Sequence, residues 1–383
     1  MTGTLVTLVT LVTRNYLTIM SLKQPLIDRI FGIDSADDFD ALALEVFHFQ
    51  YRHNAVYRRF CDALKRLPGR VEGVDDIPFL PVEMFRDHRV VSFAGEAEAV
   101  FSSSGTTALQ TSRHFVKDLS LYNRSFTASF RCFYGDPSNY CILALLPSYL
   151  GREGSSLVYM ARGLMELSGH PGNGFYLDDH DALCDALIRY SVQGHSVLLL
   201  GVSFALLDLV ESHPTKIKEA MTGRVIVMET GGMKGRRREI TREELHGRLM
   251  EGFGTGAIHS EYGMTELLSQ AWSQGEGVFA CPPWMRVLIR DVNDPLHTGS
   301  HRTGGINVID LANIYSCSFL ATQDVGRLRD DVKGAYAAGG PGEKSGASPT
   351  ATAVQKPLVS SCFEVLGRFD NSDIRGCNLM LDD

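Results

Sequence analysis

The chain has 383 residues, 44% of them hydrophobic and 21% charged, which is enough apolar material for one large domain or two subdomains. A net charge of −8 argues against a nucleic-acid or anionic-membrane partner, while leaving room for a nucleotide held locally by backbone donors and a few cations. Its eight cysteines are scattered without a C-x-x-C pair, which fits a reducing cytoplasm rather than a disulfide framework or a structural zinc.

Residues 1–19 repeat a Thr-Leu-Val unit with no preceding charge and no small-residue cleavage site. They are too short for a membrane span and poor as a signal peptide, and are expected to be a start extension, with Met20 opening the protein proper. Residues 20–74 form an N-terminal helical region. Asp34-Ser-Ala-Asp-Asp-Phe39 supplies cap-type residues, and Phe47, Tyr51, Val56, Phe60 and Leu64 recur at helical spacing. Ile77-Pro-Phe-Leu-Pro81 then reads as a rigid extended connector, because each proline biases its predecessor away from the helix.

Phe101-Ser-Ser-Ser-Gly-Thr-Thr107 is a small hydroxyl- and glycine-rich loop. Glycine lets backbone N–H groups turn toward an anion and the hydroxyls add short donors, a combination suited to a polyphosphate. Leu119–Phe133 predicts a helix, Cys141–Leu146 a buried strand, Ser155–Met165 a helix and Ser196–Leu200 a strand. Ala205–Val210 and Ile217–Met221 are helical, and Arg224–Met228 is a strand running into Glu229-Thr-Gly-Gly-Met233. Glu239–Phe253 is an amphipathic helix with Ile240, Leu245, Leu249 and Phe253 on one face. From Met285 the character turns to β, with runs at Val287–Ile289, Gly305–Ile309 and Ser318–Leu320. Residues 333–357 are rich in Gly, Ala, Ser and Pro and read as a linker; 358–383 form a hinge-like segment and tail. The alternation predicts an α/β fold with mixed or parallel sheets flanked by helices.

Ligands in such sheets sit beyond the carboxyl ends of strands, where Gly231-Gly232 would let a flat ring or phosphate approach the backbone. In His259-Ser-Glu-Tyr-Gly-Met-Thr-Glu266, Gly263 permits a tight turn, Thr265 offers a hydroxyl and Glu266 a hard oxygen ligand for Mg²⁺. Thr322-Gln-Asp-Val-Gly-Arg327 reads as a turn whose Asp324 could accept from two ribose hydroxyls. Gly367-Arg-Phe-Asp370 closes the series.

In order, these four motifs resemble those of the adenylate-forming (acyl-CoA synthetase/luciferase-like) superfamily, over residues 75–332 and on to the end. Ile77–Pro81, Thr230-Gly-Gly-Met-Lys-Gly-Arg236, His259-Ser-Glu-Tyr262 and Phe319–Arg327 narrow the resemblance to the acyl-protein synthetase (LuxE-type) family. The resemblance implies an ATP- and Mg²⁺-dependent ligase that activates a carboxylic, expectedly fatty, acid as its adenylate and passes the acyl group to a thiol. It implies that Ser103, Ser104, Gly105, Thr106 and Thr107 hold the phosphates and that Gly231, Gly232 and Met233 line the adenine. Tyr262 would flank the purine or acyl group, Thr265 contact phosphate, Glu266 bind Mg²⁺, and Asp324 and Arg368 hold the ribose.

Several positions depart from the family pattern. Ala108 stands where Gly is usual, with Arg113 the nearest cation, and Gln323 replaces a Gly. The C-terminal lid domain with its catalytic Lys is expected to be truncated or absent, leaving Lys234 or Arg236 as stand-ins. The family precedent of a C-terminal acyl-cysteine points to Cys377, where neighbouring Arg375 favours the thiolate, with Cys362 as rival. Other acceptors are CoA, an acyl carrier protein, or a reductase or transferase partner. A phenylacetate-type acyl-CoA ligase and a non-catalytic nucleotide-binding scaffold are the alternatives. His259 either orients a substrate group or is structural, and Trp272, Phe279, Pro282, Pro283 and Trp284 either line an acyl pocket or fill the core.

Overall fold

The computed structural model describes residues 26–103, 111–146, 154–177, 179–231, 237–238, 240–298, 303–329 and 359–369. The N-terminal region folds as helical residues 26–30 (α1), then α2 (Ala36–His53) and α3 (Ala55–Ala63). Ser35 starts α2 by accepting from the Asp38 amide (3.1 Å). The helical pattern breaks at Asn54, which ends α2 and caps α3 by accepting from the Tyr57 amide (3.0 Å). The connector supplies a two-residue strand β1 (Leu80–Pro81), followed by the short helix α4 (Met84–Asp87).

A hairpin of β2 (Ala99–Ser102) and β3 (Arg113–Val116) leads into α5 (Leu119–Tyr134), capped by Asp118. Then come β4 (Tyr140–Leu145), α6 (Ser156–Ser168), β5 (Gly174–Phe175), α7 (His180–Val192), β6 (Ser196–Val202), α8 (Ser203–Ser212), α9 (Pro214–Ala220), β7 (Val225–Thr230) and α10 (Arg242–Phe253). Last are β8 (His259–Tyr262), β9 (Ala271–Ser273), β10 (Val278–Ala280), β11 (Met285–Arg290), β12 (Thr303–Asp310), β13 (Phe319–Leu328) and β14 (Cys362–Arg368).

Among the described residues, one twelve-stranded sheet runs in the order β11-β12-β13-β14-β10-β9-β8-β7-β6-β4-β5, with β1 added beside β13. Strands β5, β4, β6, β7 and β8 are mutually parallel; from β8 through β11 the pairing is antiparallel. The mixed α/β architecture expected from the sequence is therefore what forms. Strands β4 and β6 are nearly continuous apolar runs buried along their length, as a strand covered by helices on both faces requires. Helix α7 has no counterpart in the sequence reading, although its Asp179 cap and buried Leu183 and Leu187 mark it; it makes the crossover into β6. The main apolar core extends from Leu26 through Phe363, so α1–α3 pack into the same interior as the sheet, and Val278, Ala280 and Cys362 form a small second cluster.

Polar side chains tie these helices to the far end of the chain. Gln50 donates to the carbonyls of Asn313 and Ile314 (3.1 Å each), and Asn54 to that of Ser316 (3.0 Å). Asn54 is fully buried, so its replacement by Ala removes a cap and leaves the Ser316 carbonyl without this donor. We expect Asn54→Ala to lower the unfolding free energy by about 2 kcal/mol. A lower urea midpoint at unchanged m-value is the measurement, and Asn54→Ser, which keeps a cap acceptor without a buried charge, should retain part of the difference.

Candidate functional site

Three separate segments supply the candidate site residues. The β2–β3 hairpin continues beyond its last strand pair: the Ser103 amide donates to the Ser112 carbonyl (3.1 Å) and the Ser112 amide to Ser103 Oγ (3.0 Å). Ser103 therefore stands at the base of the hydroxyl loop; Ser104, Gly105, Thr106 and Thr107 lie outside the described residues. Gly154 packs on this hairpin at φ +86°, its carbonyl accepting from the Ser102 amide (2.8 Å). A Cβ there would lie 2.8 Å from the Val100 carbonyl oxygen, so backbone approach and conformation both require glycine.

The second segment is the turn after β8. Glu261 accepts from Thr230 Oγ1 (2.5 Å), and its other carboxylate oxygen lies so close over Gly263 that a Cβ would sit 2.2 Å away. Past Gly263, the Leu267 amide donates to the Met264 carbonyl (3.1 Å). Glu266 is buried, and burial pushes its carboxyl above the usual range. The nearby Ser112 hydroxyl and the charge of Arg368 pull it back down, while Glu83 pushes it up. Among the described residues no Lys or Arg is within ion-pair distance of Glu266. A desolvated carboxylate of this kind suits a divalent cation that takes its other ligands from phosphate and water. Arg113, the nearest cation to the loop in sequence, is exposed and lies 5.8 Å from the Phe115 ring.

The third segment corrects an expectation: Asp324 sits inside β13, not on a turn. With Gln323 in place of Gly the backbone stays extended, and β14 pairs along it with Arg368 opposite Asp324. Gln323 instead donates to Glu83 (2.6 Å). The Asp324 carboxylate accepts from Tyr262 Oη and from Arg368 Nε, both at 2.9 Å. Each oxygen keeps a lone pair for a further donor. The Tyr262 ring packs on Phe279 and Phe363, with centroids 5.7 and 5.2 Å away, so its hydroxyl is the part that reaches the site. Arg368 remains 71% exposed at the side chain, and Asp324 raises its pKa.

Gly231 ends β7 at φ +77°. Beneath it Glu229 is buried, and burial alone would raise its pKa. Arg242, His246 and the Ser203 hydroxyl outweigh that and hold it at about 2. Ser260, His246 and Glu229 superficially suggest a hydrolytic triad, but the Ser260 and Glu229 contacts both fall on His246 Nε2, and Ser260 is fully buried. The group is a structural network. Gly232, Met233, Lys234, Arg236 and Cys377 lie outside the described residues.

Other candidates resolve as packing. Trp272 donates to Ser129 Oγ (2.7 Å) and Trp284 to Ser269 Oγ (2.9 Å); both rings and Phe279 are buried in the core. The Cys362 thiol is fully buried in β14. His259 Nδ1 meets Tyr134 Oη at 3.1 Å, and burial pulls its pKa down to about 4. Arg237 is taken up by ion pairs to Asp208 and Glu211. Sequence reasoning missed Ser112, Glu83, His114, Asp310 and Asn313. The last two stand in the apolar run Val308–Ile314, where a buried polar residue must find partners.

Comparison with known proteins agrees with the motifs. The model of the acyl-protein synthetase (LuxE) family matches residues 34–129. The long-chain-fatty-acid–luciferin-component ligase of Photorhabdus luminescens is 37% identical over 71 residues, 18% of this chain, and the match spans 60% of that relative. Among solved structures, 2-hydroxyisobutyryl-CoA ligase in its postadenylation state with 2-HIB-AMP has a TM-score of 0.62 at 12% identity, over 88% of this chain and 70% of its own. An ATP-bound RpMatB-BxBclM chimera has a TM-score of 0.50 at 15% identity, over 73% of this chain and 49% of its own. The fold is thus that of adenylate-forming ligase domains, and the resemblance to acyl-protein synthetases is borne out. No helix among the described residues is long and apolar enough to cross a membrane.

His114 and His259 both have folded-state pKa values near 4, below the ordinary 6.5, so between these limits the unfolded chain binds more protons. Stability is then full above pH 6.5 and falls as pH drops toward 4, by on the order of 3 kcal/mol for fully buried His114. Urea unfolding between pH 7.5 and 4.5 should show this decline, and His259→Gln should flatten it.

Proposed function

We propose that this chain is an ATP-dependent acid–thiol ligase that forms an acyl-adenylate and hands the acyl group to a thiol. The observation that carries the reading is the 2.8 Å contact between His114 Nδ1, on the hairpin that bears the phosphate-type loop, and the Thr265 carbonyl beside the buried Glu266. It joins the two motifs that an adenylation site must bring together. The Asp324–Arg368 pair, linked to the same turn through Tyr262, adds a ribose-binding end.

In this reading Ser103 through Thr107 hold the polyphosphate, Thr265 adds a hydroxyl, and Asp324 and Arg368 bind the ribose. Gly231, Gly232, Met233 and Tyr262 flank the purine. Glu266 holds Mg²⁺, which when bound neutralises charge on the departing pyrophosphate. A substrate carboxylate oxygen forms the bond to the α-phosphorus as the bond to the bridging β-phosphate oxygen breaks, giving acyl-AMP and pyrophosphate. Fixed donors aimed at the phosphates stabilise that transition state. A thiolate then attacks the acyl carbon and AMP leaves, the thiol proton passing to solvent. A fatty acid as substrate follows the relative from Photorhabdus luminescens. Cys377 is the proposed intramolecular acceptor, with CoA or a carrier protein as the intermolecular ones.

ATP–pyrophosphate exchange driven by long-chain fatty acids is the direct test. Its absence with every acid tried would favour a non-catalytic nucleotide-binding subunit. Glu266→Gln should lower exchange by about 100-fold or more, and because it removes a desolvated charge it should leave thermal stability unchanged or higher. Asp324→Asn should raise KM for ATP by about tenfold, the effect of losing one charge-assisted hydrogen bond.

Radiolabelled acid separates the acceptors. Label on the protein that is lost in Cys377→Ala and kept in Cys362→Ala assigns the tail thiol. Label found on CoA alone removes self-acylation and leaves an acyl-CoA ligase.

A further inference from the structure

The turn that carries Thr265 and Glu266 is held by two side chains that belong to no motif. His114, on β3, places Nδ1 2.8 Å from the Thr265 carbonyl and Nε2 3.1 Å from Asn313 Oδ1. Asn313, in the turn after β12, donates from Nδ2 to the Glu266 carbonyl (2.7 Å) and to the Cys317 carbonyl (2.9 Å). Both side chains are buried, at 1% and 0% exposure, and the edge of the His114 ring faces Phe85 with centroids 5.8 Å apart.

These bonds determine what each residue does. Asn313 Nδ2 is taken up by two carbonyls, so rotating the amide would set Oδ1 against two acceptors; the amide orientation is thereby fixed. His114 consequently faces an acceptor on both sides, and its neutral ring carries one N–H, which the shorter contact assigns to Nδ1, donating to the Thr265 carbonyl. The two peptide carbonyls of Thr265 and Glu266 are thus each gripped from outside, one from the hairpin and one from the segment after β12. Holding those peptide planes sets where the Thr265 hydroxyl and the Glu266 carboxylate point.

We infer that His114 and Asn313 are positioning residues, whose bonds to the Thr265 and Glu266 carbonyls hold the Glu266 carboxylate in register with the phosphate-binding hairpin. This rests on the adenylation reading for its chemical consequence and on the turn geometry alone for its structural one. A carboxylate held by a loosened turn loses cation affinity and transition-state contacts while the acid-binding surface is untouched.

The test uses the full chain with His114→Phe, which keeps the ring shape and removes the N–H donor, and His114→Gln, whose amide nitrogen can donate in its place. Asn313→Asp is the third variant. The first readout is hydrogen exchange of the 263–269 amides by mass spectrometry, with β4 as internal reference; the second is the Mg²⁺ dependence of ATP–pyrophosphate exchange. His114→Phe and Asn313→Asp should speed exchange in 263–269 at least tenfold without changing β4. They should also raise the Mg²⁺ concentration for half-maximal activity at least tenfold and lower kcat, with KM for the acid unchanged. His114→Gln should restore most of both. Folded variants with wild-type protection in 263–269 and wild-type Mg²⁺ dependence overturn the inference, as does a folded His114→Gln as impaired as His114→Phe. If the wild-type protein catalyses no exchange, the adenylation reading fails, and the amide protection of the turn still decides the positioning roles. A variant that loses β4 protection together with the turn marks a general structural role and counts against them.

Discussion

The site depends on one buried carboxylate that takes no part in chemistry. Asp310, at the end of β12, accepts from the Leu268 amide (2.8 Å), the Ser269 amide (2.9 Å) and Ser269 Oγ (2.6 Å). Burial still pushes its pKa up against those bonds, which shows how much desolvation they must offset. Ser269 Oγ in turn meets Trp284 Nε1 and Ser125 Oγ, so the antiparallel strands, α5 and the segment following Glu266 are joined at one hydroxyl. With the Leu268 and Ser269 amides fixed on one side, the turn before them can be given a definite shape from the other. Partly satisfied, such a cluster would be worse than an apolar core; fully satisfied, it specifies a single arrangement.

The sheet changes character where the candidate site residues gather. Strands β4, β6, β7 and β8 form a parallel half whose carboxyl ends present Thr230, Gly231 and Tyr262. Strands β9 through β14 form an antiparallel half that contributes Asp324 and Arg368. The hydrogen bond from Tyr262 to Asp324 spans the two halves. Parallel strands concentrate backbone ends at one edge of the sheet, and the antiparallel half brings charged side chains back to the same place.

Much of this was legible in the chain. The continuous apolar runs of β4 and β6 and the Asp118 cap of α5 are local signals, and the ordered motifs around Ser103, Tyr262–Glu266, Asp324 and Arg368 pointed to the fold and its chemistry. What was not legible is long-range. Nothing near His114 says that it will meet the Thr265 carbonyl and the Asn313 amide oxygen, or that both of them accept. Strands of three residues such as β9 and β10 are too short for periodicity to declare them, and exist because longer neighbours pair with them. Asp324 was read as turn-borne because motif resemblance suggested a glycine-dependent bend. Gln323 removes that bend, and the pairing with β14 keeps the segment extended.

The position of β14 bears on how the molecule is made. It is the last described strand in sequence, yet it lies between β13 and β10 rather than at an edge of the sheet. While the chain is synthesised, the strands on both its sides are complete long before residues 362–368 emerge from the ribosome. During that interval β13 and β10 lack the ladder partner that joins them, and unpaired edges are the features that recruit other chains. Arg368 arrives with that strand, so the charged partner of Asp324 and the closure of the sheet come in one late step. A nascent chain released before that point would present two open edges and an Asp324 without its charged partner.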